Sequence, residues 1–153
     1  MVFRSKPLFN IFTTLALLAS LLGSAIFVTP SRASGLCYVN INATGTNTGN
    51  TWTNAYTSLQ SAIADTCTEI WVAAGIYKPH ASDRTVSFVL ESTGVEIYGG
   101  FAGTETLRSE RDFVANVTIL SGDLNGNDNS NISAGEPTRS ENSYHVIKSA
   151  GVL

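Results

Sequence analysis

The chain has 153 residues, with nine basic and twelve acidic side chains and two cysteines. Arg4, Lys6 and Arg32 all lie within the first 33 residues, so the remainder sets six bases against twelve acids, a net charge of −6. That balance argues against nucleic acid or an anionic membrane surface as partner, and the 120 residues beyond position 33 are enough for one small domain but not two.

The N-terminus opens with Arg4 and Lys6 and no acid, continues through an apolar run over 11–28, and reaches Pro30 followed by Ser31-Arg32-Ala33. A charged start, an apolar middle and a small-residue exit form a secretion signal. The alternative is an uncleaved anchor, because an apolar stretch of roughly 20 residues can span a bilayer. Either way the rest of the chain crosses the membrane. The expected organisation is a signal peptide over 1–33, an N-terminal cap over 34–68 and a β-domain over 69–153, with no membrane contact once the signal is cut.

Beyond the signal, residues 37–41 (CYVNI) alternate like a short strand, and 42–50 (NATGTNTGN) read as an exposed loop. Thr53 or Asn54 is placed to cap a helix running to about Asp65, with Ala55, Leu59, Ala62 and Ile63 on one face and Trp52 just before it. Cys37 and Cys67 are a lone pair in an exported chain, which most simply means one disulfide. It would tie the helix to the first strand. A lipid-anchoring role for Cys37 is the alternative, but Leu36 stands where a small residue is needed.

From position 69 the pattern changes to short strands and turns: 69–73 (EIWVA), 85–90 (TVSFVL), 94–98 (GVEIY) before Gly99-Gly100, 117–121 (VTILS) and 144–147 (YHVI). Ile70, Ile97, Ile119 and Val146 are separated by 27, 22 and 27 residues. A loose period in the twenties suits a coiled solenoid, whereas a hairpin sandwich turns every 8 to 12 residues or so. The expected fold is therefore all-β, a right-handed parallel β-helix whose exposed first edge is covered by the capping α-helix.

The segments 52–56 (WTNAY), 70–79 (IWVAAGIYKP), 84–90 (RTVSFVL), 95–105 (VEIYGGFAGTE), 118–123 (TILSGD) and 142–147 (NSYHVI), in this order, resemble the N-terminal part of secreted bacterial right-handed parallel β-helix proteins of the pectin-lyase-like superfamily, in particular its uncharacterised exported members. The resemblance covers nearly all of the chain beyond the signal. It implies a longer array of coils, so a chain ending at Leu153 is expected to be truncated. It implies no activity by itself, because one fold hosts many functions.

The strongest local site candidate is 123–128 (DLNGND), where Asp123, Asn125, Asn127 and Asp128 place oxygen-bearing side chains around a glycine as calcium ligands. It departs from the EF-hand pattern, with Asp128 at the sixth position and no glutamate at the twelfth. The competing reading is a turn-forming acidic loop. His80 and His145 have no ligand-spaced partners, and the acids between Glu105 and Asp112 alternate with Arg108 and Arg111 as on a solvated loop rather than as a glycosidase pair. Trp52, Trp71, Tyr77 and Tyr98 are read as core before sugar platform. No catalytic constellation emerges. The expected function is a non-catalytic exported scaffold, secreted or on the cell surface, presenting loops to a polysaccharide or a cell-surface protein. The alternative is the first part of a polysaccharide lyase or glycoside hydrolase with its active coils beyond residue 153.

Overall fold

The computed structural model describes residues 35–90 and 94–149. The signal-peptide reading falls on residues outside this range. Seven strands and one helix are present among the described residues: β1 Leu36–Val39, α1 Leu59–Ala64, β2 Glu69–Ala73, β3 Gly75–Tyr77, β4 Phe88–Leu90, β5 Glu96–Phe101, β6 Thr118–Leu120 and β7 Ile147–Ser149.

The strands form three small parallel sheets, β1-β2-β5, β3-β6 and β4-β7. This corrects the expected right-handed parallel β-helix: the sheets have three, two and two strands, and among the described residues no sheet closes on itself or runs on as a solenoid. The reason lies in the supposed repeat. Ile70 and Ile97 do face each other in register between β2 and β5. Ile119 instead pairs with Ile76 in a different sheet and is 44% exposed, and Val146 lies before β7 rather than in it. Only the first 27-residue interval is a structural repeat; the other two are coincidences of apolar spacing.

The core is built from alternate residues of β1 and β2, Cys37 and Val39 with Ile70 and Val72, together with Leu59 and Ala62 of α1, Tyr77 of β3 and Phe88 of β4. Strand alternation sends the intervening residues to the other face of the sheet. There Tyr38 and Trp71 stand opposite each other in register, and a second apolar layer forms. Trp71 stacks on Phe101 with ring centroids 4.8 Å apart and planes 8° from parallel. Trp52 covers both Tyr38, at 4.7 Å, and Phe101, at 5.6 Å. The sheet is thus buried on both sides, which explains why β2 reads as an unbroken apolar run.

The Cys37–Cys67 disulfide is present, its Cα atoms 5.8 Å apart, and joins β1 to the segment after α1. The helix is much shorter than the pattern 53–65 suggests. Asn54 is taken by the preceding loop: its carbonyl accepts from Thr48 and Gly49, and its Oδ1 accepts from Thr46 N at 3.0 Å. Its own N–H goes to Thr51 Oγ1 at 3.1 Å. Side chains that bond nearby backbone offer an alternative to the helix, and here they win.

Gly99-Gly100, expected to be a turn, lies inside β5. Trp71 pairs with Tyr98 but Ala73 with Phe101, so β5 carries one extra residue opposite β2, a bulge. Gly100 takes φ +95°, and a Cβ there would sit 3.0 Å from the backbone of Phe113. Replacing Gly100 with valine is expected to cost about 1–3 kcal/mol from backbone strain alone, to be read as a lowered urea midpoint.

Candidate functional site

The longest connection, 121–146, runs from β6 to β7 and contains the acidic motif. Several contacts tie it to the rest of the domain. Leu124 is buried at 5% exposure, Lys78 Nζ donates to its carbonyl at 2.9 Å, and Arg84 Nε donates to Asn142 O at 2.7 Å.

Within the loop Asp123 and Arg139 bond backbone, while Asp128, Glu136 and Glu141 accept from side chains. Asp123 Oδ1 accepts from Gly126 N at 2.6 Å and Asn127 N at 3.1 Å, and Oδ2 accepts from Asp128 N at 3.1 Å. Asp128 Oδ2 accepts from Arg139 Nη1 and Asn142 Nδ2, both at 3.0 Å. Arg139 also donates to the carbonyls of Asn131 and Asn129, at 3.0 and 2.7 Å. Glu136 accepts from the side-chain amides of Asn129 and Asn131, at 3.0 and 2.6 Å. Asn127, with its amide turned to suit both neighbours, donates to Glu141 Oε1 at 2.8 Å and to Thr138 O at 3.2 Å.

Of the four proposed calcium ligands, the structure brings Asp123 and Asp128 together and adds Glu141, one oxygen of each lying within 4.8 Å of the others. Asn127 turns toward Glu141, and Asn125 is exposed. Glu141 was not legible as a partner because it lies 13 residues past Asp128, outside any local ligand spacing. The trio has the donor chemistry for a hard divalent cation. Asp123 already accepts three backbone amides and Asp128 the Arg139 guanidinium. A cation would compete with these donors, so millimolar calcium is expected to leave the melting temperature unchanged; a rise would show that the loop binds it.

The second long loop, 102–117, uses its acids in the same way. Glu105 accepts from the amides of Ala102, Gly103 and Thr104 at 2.6, 3.0 and 2.9 Å. Glu110 accepts from Thr106 and Leu107 at 2.8 and 2.9 Å, and Asp112 from Val114 and Ala115 at 2.9 and 3.0 Å. Arg108 donates to Tyr98 Oη at 2.8 Å and lies 3.5 Å from Glu69 and 3.6 Å from Glu96.

These contacts explain the electrostatics. The Asp128 amide above all, with Gly126 and Asn127, holds Asp123 below its ordinary value. The amides of Leu107 and Thr106 lower Glu110, and those of Ala115 and Val114 lower Asp112. Burial pushes Glu105 upward, but its backbone amide donors outweigh that. The Thr85 hydroxyl lowers Asp83, and the Asn129 amide lowers Glu136. Among the described residues, Asp83, Glu105, Glu110, Asp112, Asp123 and Glu136 are all displaced downward, the opposite of the shift a glycosidase acid needs. Carboxylates lowered in the folded state contribute stability that is present above their unfolded values and lost as pH falls through the folded ones. Acid is therefore expected to loosen both loops below about pH 4.5, the ordinary glutamate value here, before neutral-pH stability is affected; a near-UV circular dichroism titration checks this.

Recesses mark the surface, two of them lined by described residues. One, about 390 Å³, is lined by Ile41, Leu59, Ile76, Lys78 and His80 among others. The other, about 380 Å³, lies against the free edges of β5, β6 and β7 and is lined by Val72, Leu90, Val95, Ile97, Leu120 and Ile147 with Gly99 and Thr118. Neither has an aspartate or glutamate in its lining. His80 Nδ1 closes a turn by accepting from Ser82 N and Asp83 N at 3.1 and 2.8 Å. His145 is exposed and precedes β7 instead of lying within a strand. Trp71 and Tyr77 are buried at 5% and 2%. Trp52 packs on Tyr38 and Phe101 and donates from Nε1 to Glu105 O. Tyr98 is covered by Arg108 at 4.6 Å and Arg111 at 5.1 Å. The aromatics are spent on packing and loop support rather than on an open stacking platform.

No family model, no curated protein and no solved structure matches the chain. The functional reading therefore rests on its residues and their geometry.

Proposed function

We propose that this is a non-catalytic exported scaffold, secreted or held at the cell surface, which presents its two long loops to a polysaccharide or a cell-surface protein. The observation that carries the proposal is the use made of the acids. Asp123, Glu105, Glu110 and Asp112 accept backbone amides and so give the loops a fixed shape. Ordering a loop before it meets a partner removes part of the cost of binding. Export is supported by the charged and apolar start of the sequence and by the disulfide, a bond that persists in oxidising compartments. The order of segments that resembles exported proteins of the pectin-lyase-like superfamily supports it as well.

Two experiments test the proposal. The full chain expressed in a bacterium is expected outside the cytoplasm, oxidised, with a new N-terminus at Ser34; recovery of an uncleaved, reduced cytoplasmic chain contradicts export. The exported product is then run through gels containing soluble neutral or uronate-bearing polysaccharides, and the same polysaccharides are assayed for new reducing ends and unsaturated products. Retarded migration without product is expected of a polysaccharide-binding scaffold. Product formation contradicts the non-catalytic reading, and unretarded migration in every gel leaves the protein partner.

A further inference from the structure

The loop also contains a chemically reactive peptide bond whose nucleophile the structure places against a carboxylate. Asn125-Gly126 is the one Asn-Gly pair in the sequence. Glycine removes the side chain that would obstruct attack on the preceding asparagine. Asn125 is exposed, and no hydrogen bond holds its side chain among the described residues.

We propose that Asn125 is a site of spontaneous deamidation, with water as co-reactant, and that the Asp123 carboxylate sets its rate. In the reaction the Gly126 nitrogen loses its proton and attacks Asn125 Cγ. The new N–C bond closes a succinimide, and the side-chain amide leaves as ammonia. Water then adds to one of the two ring carbonyls and breaks its bond to nitrogen, giving aspartate or isoaspartate at position 125. No oxidant or reductant is involved.

The nucleophile is the atom that Asp123 Oδ1 holds, as N–H, at 2.6 Å. A hydrogen bond to a charged acceptor is among the stronger kinds. Deprotonating that nitrogen would set an amide anion beside a carboxylate, and like charge disfavours it. The cradle therefore keeps the proton on nitrogen and the lone pair out of reach of Cγ. Once the reaction occurs the effect is one-way. A further carboxylate is added two residues along the chain from Asp123, which itself converges with Asp128 and Glu141. The isoaspartate product also lengthens the backbone by one carbon, pulling the amides of Gly126, Asn127 and Asp128 away from Asp123. This inference does not depend on the proposed function.

The test incubates the exported protein at mildly alkaline pH and follows deamidation at position 125 by peptide mapping and mass spectrometry. A synthetic peptide of residues 121–129, which lacks the cradle, is followed beside it, with the variants Asp123→Ala and Arg139→Ala. The wild type is expected to react at least about tenfold more slowly than the peptide, the change that one unit of amide acidity makes. Asp123→Ala is expected to approach the peptide rate. Arg139→Ala loosens the Asp128 side of the loop but leaves the Gly126 contact, and is expected to stay near wild type. Equal rates for wild type and peptide overturn the proposal. So does an Asp123→Ala variant that reacts no faster, since the carboxylate is then neutral or acts as a base. Acceleration by Arg139→Ala equal to that by Asp123→Ala also overturns it, because loop rigidity in general would then set the rate.

Discussion

Replacing Cys37 and Cys67 together with alanine is expected to lower stability by roughly 3–4 kcal/mol, the chain-entropy estimate for a loop of this length. For a domain of this size that corresponds to a fall of on the order of 10–20 °C in melting temperature. The bridge spans 30 residues, and most of what it encloses is polar: the loop 42–57 contributes few buried side chains besides Ala55. That segment is held to β1 mainly by backbone bonds such as Tyr38 N to Gly49 O and Asn40 N to Tyr56 O, both under 3 Å. Both sulfurs lie in the core cluster beside Leu59 and Ile70, so the reduced form also has to accommodate two separated thiols there. Thermal unfolding of wild type and variant, each with and without reductant, measures the effect. Reductant should destabilise the wild type alone. A loss below about 1 kcal/mol would mean that the enclosed segment is ordered without the bond.

Trp71→Ala is expected to cost about 3–5 kcal/mol, the usual range for truncating a buried large aromatic. Trp71 is 5% exposed and belongs to the aromatic layer on one face of the β1-β2-β5 sheet. Its ring stacks on Phe101 and meets Tyr38 edge-on at 5.7 Å, and its Nε1 donates to Glu69 Oε1 at 2.7 Å. Truncation would open a cavity beside two aromatic neighbours and release Glu69 from one of its donors. Ile132→Ala is the contrasting variant. Ile132 is 84% exposed at the tip of the 121–146 loop, and its removal should change stability by no more than about 0.5 kcal/mol. Urea unfolding of the two variants separates a core role from a surface one. Trp71→Ala in the absence of the disulfide is expected to leave no cooperative transition, because the two losses together approach the whole stability of a small domain.

How far the sequence discloses this structure differs from element to element. Residues 69–73 are legible to the residue because a strand covered on both faces is a continuous apolar run. The disulfide is legible from a lone cysteine pair beyond an N-terminus read as a secretion signal. The solenoid reading fails for a definite reason: a spacing between isoleucines does not say which partner each one has. Ile76, in the short strand Gly75–Tyr77, turned out to be the partner of Ile119. That strand is three residues long and begins with a glycine, too little for an alternation to register. The helix was over-read because Thr51 and Asn54 carry side chains that bond backbone locally, and periodicity is blind to that competition. At the candidate site, the local motif identifies Asp123 and Asp128, whereas Glu141 and Arg139 arrive only when the loop folds back.

The central claim is that carboxylates turned onto their own backbone hold the two long loops in a fixed shape. Amide hydrogen exchange of the oxidised protein at neutral pH tests it most directly. Protection is expected at Gly126, Asn127 and Asp128, at Ala102, Gly103 and Thr104, and at Val114 and Ala115, and it should disappear segment by segment in Asp123→Ala, Glu105→Ala and Asp112→Ala. Exchange of these amides at the rate of an unstructured chain in the wild type would contradict the account.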